Sequence, residues 1–561
     1  MTSLTLAERS RLARLAADRT RRALLARALR SPLLAWRYGR PTAEELLIVP
    51  QELRTADPSF AEELAHGQLG LGGAVASIGT GSIFDVGSPS DAWCRALHGF
   101  GWLRNLTAAG TAEDRAMAEA AITTWIDRYQ ARSLSVPWQP DVIGRRLVSW
   151  LANVPFVFER IDGPTYDKIA DSLGLQIVEL ATRWRDAPSG YPRLEALIGL
   201  LTGALCIAGR DDNVAEFEQA LVAEIRYQVL PDGGHISRNT EVVVDLLLDL
   251  LPLRTCFIAR ERPFHPDIEK AMSRMLRFLR FMRLGDGSLA RFNGTGATPF
   301  DRVATLLAYD PAPEAELTGA PASRYARIAA GPMVLIVDVG SPPPLEYAGF
   351  ATASALAFEL SIGGQAVFVN AGAPGPADQD WLAASRATAS HNTLCLNATS
   401  SSKLLRNRLL NQLVRAAPIR EPDAVAHEMS GDRNRMTLGA SHNGYQRAFS
   451  IIHRRELSIV DAGLRLDGED VLSGGAARDL PFAVHFHLDS AIACHHDDDP
   501  AAALIILPDG DTWRLSSTGV MLSIEDSINF TDLAGATHSS QIVLRGTAFG
   551  ESRVNWSLER I

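Results

Sequence analysis

Near residue 325 the period of the apolar residues falls from about 3.6 to about 2, so the chain must build two cores of different kinds. Upstream, segments such as AMAEAAITTWIDRYQAR, YDKIADSLGLQIVELATRW, RLEALIGLLTGALCIAG and IEKAMSRMLRFLRFMR place apolar side chains at i, i+3 and i+4. Strand signals are nearly missing there. Successive helices with short loops pair antiparallel, which leaves a solenoid or a closed toroid open to them. Downstream, AFELSI-GG-QAVFVN and LIILP-DG-DTWRLS read as hairpins, with Gly363-Gly364 and Asp509-Gly510 as turns. RRELSIVDAGLRLDG, FAVHFHLD, SQIVLRG and SRVNWSLERI continue the alternation to the end and predict an antiparallel sandwich. The join lies in the proline-rich stretch from Tyr309 to Arg324.

With 561 residues, 46% of them hydrophobic and 21% charged, two or three soluble domains are expected. A net charge of -10 argues against nucleic acid as the main partner. The cysteines (Cys94, Cys206, Cys256, Cys395, Cys494) are odd in number and form no CxxC pair, so they read as reduced core thiols. No apolar run of about 18 residues predicts a spanning helix. At the N-terminus Arg9, Arg11, Arg14, Arg19, Arg21, Arg22, Arg27 and Arg30 interrupt every apolar run, so no secretory segment is read and a cytoplasmic location is expected. With Leu12, Leu15, Leu24, Leu25 and Leu29 they make residues 1–40 a basic amphipathic arm. Such an arm rests on an anionic inner-membrane surface, or is the solvated face of a helix packed on its own domain.

The stretch that draws chemistry together is PDGGHISRNT, residues 231–240, ahead of the apolar run EVVVDLLLDLLPL. Its glycines allow a reversal at φ > 0, and Asn239 or Thr240 is a natural N-cap for a helix running to Pro252. His235 and Arg238 then sit at a helix mouth, where an imidazole and a guanidinium suit a carboxylate or oxyanion; a capped turn with solvated polar groups is the alternative. Trp93, Trp102, Trp138 and Trp150, with Arg145 and Arg146, would suit sugar rings on a concave face, or belong to the core.

The order PWQPDVIGRRLVSW, DGGHISRN, GDGSLARFNG, ALAFELSIGGQAVFVNAG and RATASHNT, spread over nearly the whole chain, resembles the heparinase II/III family of polysaccharide lyases. The resemblance implies a multidomain α+β chain: an N-terminal (α/α) toroid of helical hairpins over 41–315, then a C-terminal antiparallel β-sandwich over 325–561, with a glycan cleft between. It also implies β-elimination on uronic-acid polysaccharides. That chemistry needs a group to neutralise the C6 carboxylate, a base for H5 and an acid for the leaving O4.

Several family positions are changed here. Tyr191-Pro192-Arg193 stands where an Asn-His pair is usual, and Val242 near the usual tyrosine. Phe350, Thr352, Ser354 and Asn370 fall where a histidine set and a zinc aspartate are usual; only His391 remains of the metal set, so neither zinc nor any other cofactor is expected. The catalytic candidates are therefore His235 as base, Arg238 or Asn239 holding the carboxylate, and His391 or Tyr445 as acid. Trp138, Arg145, Tyr191, Arg193, Asn293 and His442 are substrate-binding candidates. His485, His487 and the His495-His496 loop are weaker ones, better read as packing or surface positions. The partner implied is an acidic polysaccharide or oligosaccharide. Two other functions stay open: a catalytically degenerate protein that binds glycan or assembles an envelope-polysaccharide machine, and a hydrolase using carboxylates such as Asp232, Glu241 or Asp286.

Overall fold

The computed structural model describes residues 45–561 apart from 80, 132–134, 310–318, 376–378, 406–415, 432–434, 476–478 and 534, together with 5, 6, 8–10, 12–14, 17, 20, 21 and 43. The longer helices of the first half are α1 Asp91–Gly99, α2 Ala112–Tyr129, α3 Pro140–Ala152, α4 Gly163–Arg183, α5 Tyr191–Cys206, α6 Asp211–Gln228, α7 Thr240–Ala259, α8 Pro266–Phe281 and α9 Phe300–Ala308. Helix α5 packs on α3, α6 and α7, and every residue from Ala196 to Cys206 is buried. A helix apolar all round has to be central. Two glycines let it come close to α3: a Cβ on Gly199 would lie 2.4 Å from the Cα of Gly144. Trp93, Trp102, Trp138 and Trp150 all lie in this core; Trp138 is 1% exposed and its indole donates to the Tyr129 carbonyl. The Arg146 guanidinium sits 3.9 Å over the Trp125 ring.

Two local features differ from the sequence reading. The helical half contains a hairpin, β1 Gln68–Leu71 with β2 Ala74–Ser77, turned by Gly72 and Gly73 at φ 53° and 76°. Helix α7 is N-capped by Asn239 as expected, but it continues through Pro252 to Ala259. An interior proline removes one hydrogen bond at a cost of about 3 kcal/mol. Burial of Leu246, Leu247, Leu248, Leu250, Leu251 and Leu253 around it offsets that cost.

All strand pairs downstream are antiparallel. A five-stranded sheet runs in chain order through β3 Gly319–Ala320, β4 Tyr325–Ala330, β5 Met333–Asp338, β6 Phe358–Ile362 and β7 Gln365–Phe368. After β8 Leu394–Leu396 come β9 Val425–Gly431, β10 Met436–His442, β11 Ile451–Val460, β12 Arg465–Gly474 and β13 Leu480–His487. They are followed by β14 Ala493–His496, β15 Ala502–Ile506, β16 Thr512–Thr518, β17 Met521–Asp532, β18 Gly535–Ala548 and β19 Ser552–Arg560. These form an eight-stranded sheet, β14-β15-β16-β19-β12-β11-β10-β9, and a four-stranded one, β17-β18-β13-β8. One core serves all three sheets: Phe486 of β13 lies 4.8 Å from Trp556 of β19 and 6.3 Å from Phe358 of β6, measured between ring centroids. Both expected hairpins are present, with Gly363 and Gly510 at positive φ.

Most of the arm at residues 1–40 lies outside the described residues. Of those described, Glu8 pairs with Lys403 at 3.1 Å and Leu12 packs with Ile419. Among the described residues no helix is long and apolar enough to cross a membrane.

Candidate functional site

In α7 the sequence EVVVDLLLD spaces Glu241, Asp245 and Asp249 at i, i+4 and i+8, which puts three carboxylates on one face of an otherwise apolar helix. Cations meet them inside the toroid. Arg54 reaches Asp249 at 2.6 Å and Asp245 at 3.5 Å; Arg145 of α3 reaches Asp249 at 2.8 Å and Glu195 of α5 at 2.6 Å. The Tyr191 hydroxyl donates to Asp249 at 2.6 Å and accepts from Arg145 at 2.7 Å and Arg54 at 3.2 Å. Tyr191 and Arg145 are thus brought together. Arg193, two residues on, is held elsewhere by Glu224 and the Ala187 carbonyl.

Burial alone would raise the Asp249 carboxyl, but Arg145 and Arg54 more than reverse it and hold the group well below the usual carboxylate range. Burial pushes the Tyr191 hydroxyl well above its ordinary value and Glu195 up to about 7, against the pull of Arg145. Glu241 is also raised to about 7, by burial and then by the charge of Asp245. A carboxyl that changes charge near neutrality can exchange protons with a bound group, whereas Asp249 is a fixed anion.

The turn at 231–239 joins the helical half to the five-stranded sheet. Gly233, at φ 94°, passes so close to α8 that a Cβ would lie 2.1 Å from the Arg274 carbonyl oxygen. Asp232 accepts from the Ala322 and Ser323 amides and the Ser323 hydroxyl. His235 is 2% exposed, with its ring nitrogens on Ser237 at 2.7 Å and Gln228 at 3.0 Å, and burial lowers its pKa to about 3. Arg238 donates to the carbonyls of Ser323, Arg324 and Ser341, pairs with Asp338 at 2.5 Å and lies 4.6 Å over the Tyr325 ring. Tyr325 donates to the Arg238 carbonyl and accepts from Asn293, whose φ of 49° aims its amide there. The Asn239 side chain caps α7 and accepts from Thr295.

Beside this turn, Asn293 and His391 line a small pocket of about 10 Å³, together with Arg291, Thr352, Ser385 and Arg386. Here the family resemblance implies zinc, and the donors do not fit it. Thr352 and Ser354 hydrogen-bond each other at 2.8 Å and Ser354 donates to Asp338, while Asn370 is bonded to Glu359 and Asn392. His391 alone is a ligating type, with Nδ1 donating to the Ala387 carbonyl and burial lowering it to about 4. Among the described residues no three His, Cys, Asp or Glu side chains converge as a metal site.

Tyr445 and His442 lie in the sandwich core. The Tyr445 hydroxyl donates to the Leu394 carbonyl. His442 Nδ1 accepts from the Gly444 amide, so its Nε2 donates to His453 Nδ1 at 3.2 Å, and His453 Nε2 donates to Asp470 at 2.8 Å. Asp470 also takes both arms of Arg455 and the Trp556 indole. His487 bridges Ser527 and the Ala389 carbonyl, and His485 meets Gln541.

Arg54, Glu195, Asp245, Asp249, Asp338 and Arg386 were not singled out from the sequence. The four-residue spacing in EVVVDLLLD was a legible signal for two of them; the others carry no local mark.

A helical toroid joined to an antiparallel sandwich defines the polysaccharide-lyase type of architecture. The chain belongs to the heparinase II/III-like family: the profile described as heparinase II/III-like, C-terminal, matches residues 312–557. It is 30% identical over 537 residues to FtsZ-localized protein C of Caulobacter vibrioides, covering 93% of this chain and 91% of that one. In fold it is similar to heparinase III, at 13% identity and TM-score 0.70 over 96% of this chain and 89% of that one. A heparan sulfate lyase HepC mutant from Pedobacter heparinus matches at 15% identity and TM-score 0.60, over 99% and 88%.

Proposed function

We propose that this chain keeps the lyase architecture as a binding module and serves an FtsZ-associated envelope assembly, without eliminating across a uronate bond. One observation carries the reading: Arg145 and Arg238, which the sequence offered for substrate, and Arg54 beside Arg145 are already neutralised by the chain itself. Arg54 and Arg145 are held by Asp249, and Arg238 by Asp338 and three carbonyls. Freeing any of them breaks a buried ion pair, which costs about 3–5 kcal/mol before substrate is gripped. The near full-length likeness to FtsZ-localized protein C supports the FtsZ association. The second reading is elimination on a uronate-containing glycan with His235 as base; the family fold favours it, and a histidine lowered to about 3 disfavours it.

The test uses purified full-length protein. Saturable co-sedimentation with FtsZ polymers, with no new ultraviolet absorbance from a panel of acidic glycans, is expected. Absorbance growth that disappears in His235→Ala, with no co-sedimentation, would establish the lyase instead.

A further inference from the structure

Among the described residues Arg386, 4% exposed, has no carboxylate beside it: its Nε donates to the Ala351 carbonyl, and its Nη2 is buried without any hydrogen-bond partner among them. Burial pulls the guanidinium down to about 10, with no nearby charge opposing. An uncompensated buried cation is costly, so its surroundings should supply an anion. The surroundings are the junction pocket. Arg291 lines it too, 4% exposed, with its Nε likewise buried and unpartnered while its Nη1 lies 3.4 Å from Glu359. Both guanidinium side chains therefore line one small cavity, and the rest of its polar lining (Asn293, Thr295, Thr352, Ser385, His391) includes no carboxylate among the described residues.

We propose that this pocket is a binding site for one compact monoanion, a halide or a carboxylate tip, held by Arg386 and Arg291. The site occupies the place where the family resemblance implies a metal cation, and its charge is reversed. Position explains how: Thr352 and Asn370 are hydrogen-bonding neutrals, so among the described residues these positions leave no carboxylate to balance Arg386. A carboxylate could come from a small acid or from a glycan uronate, and the inference stands whether or not the chain binds FtsZ.

Thermal unfolding of the full chain is followed against bromide, acetate and glucuronate, with ionic strength held by a bulky sulfonate. The wild-type midpoint should rise and saturate with at least one of them. Acetate and glucuronate acting together mark the pocket as a carboxylate site, and bromide alone marks it as a halide site. Arg386→Met should show no response, and Arg386→Lys, which keeps the charge, should retain part of it. Crystals of wild-type protein soaked in the anion that raises the midpoint should show it in contact with Arg386, as an anomalous peak for bromide or as difference density for acetate or glucuronate, a readout that does not depend on any variant folding. Equal responses in wild type and Arg386→Met, or crystals soaked in the stabilising anion that show none at Arg386, would overturn the proposal.

Discussion

Arg238→Ala should loosen the join between toroid and sandwich. The guanidinium is 6% exposed and Asp338 3%, so the pair is desolvated, and removing one partner leaves a buried charge. Breaking such a pair costs about 3–5 kcal/mol. The Ser323, Arg324 and Ser341 carbonyls lose their donor as well, which places the loss toward the upper part of that range. In Asp338→Ala the Arg238 guanidinium keeps its three carbonyl acceptors, but the Gly340 amide and the Ser354 hydroxyl lose theirs, so a loss of the same order is expected. Because the two side chains touch, the double variant should fall short of the sum by more than about 0.5 kcal/mol. Urea unfolding gives the energies, and limited proteolysis in the linker between Tyr309 and Arg324 reports the opening directly. Wild-type stability and cleavage in Arg238→Ala, together with weakened binding of acidic glycan, would refute the strut and make Arg238 a ligand group.

Asp470→Asn should destabilise the sandwich, since the carboxylate holds Arg455, His453 and Trp556. Burial raises this carboxyl, but Arg455 and His453 bring its folded pKa below the unfolded value, so the stabilisation is present at neutral pH and fades as pH drops below about 4; unfolding curves of both proteins should converge there. Glu241 has the opposite sign: its pKa rises from 4.5 to about 7 on folding, so wild type loses stability as pH climbs through that interval. Glu241→Gln should match wild type at the lower end and exceed it above the upper one. Gly199→Val should cost at least about 1–3 kcal/mol by forcing α3 and α5 apart, read as a lower unfolding midpoint.

The sequence by itself determined the two cores, because hydrophobic period is a local property and neither half can satisfy its pattern in the other's architecture. It fixed the hairpins at Gly363 and Gly510 and the cap at Asn239, where a glycine or a short amide answers a demand of its own neighbours. It also contained the carboxylate row of α7, whose spacing states which side chains share a face but not what stands opposite. Tertiary structure decided that. Arg238 looked free at a helix mouth, and its partners lie 85 to 103 residues away in the β half, so no window of the chain could reveal that it was taken. Arg386 is the converse case: an ordinary arginine in sequence becomes exceptional because folding buries it where no carboxylate arrives. Charge balance in a low-dielectric interior is set by which distant groups are brought within a few ångströms, and only the folded chain specifies that.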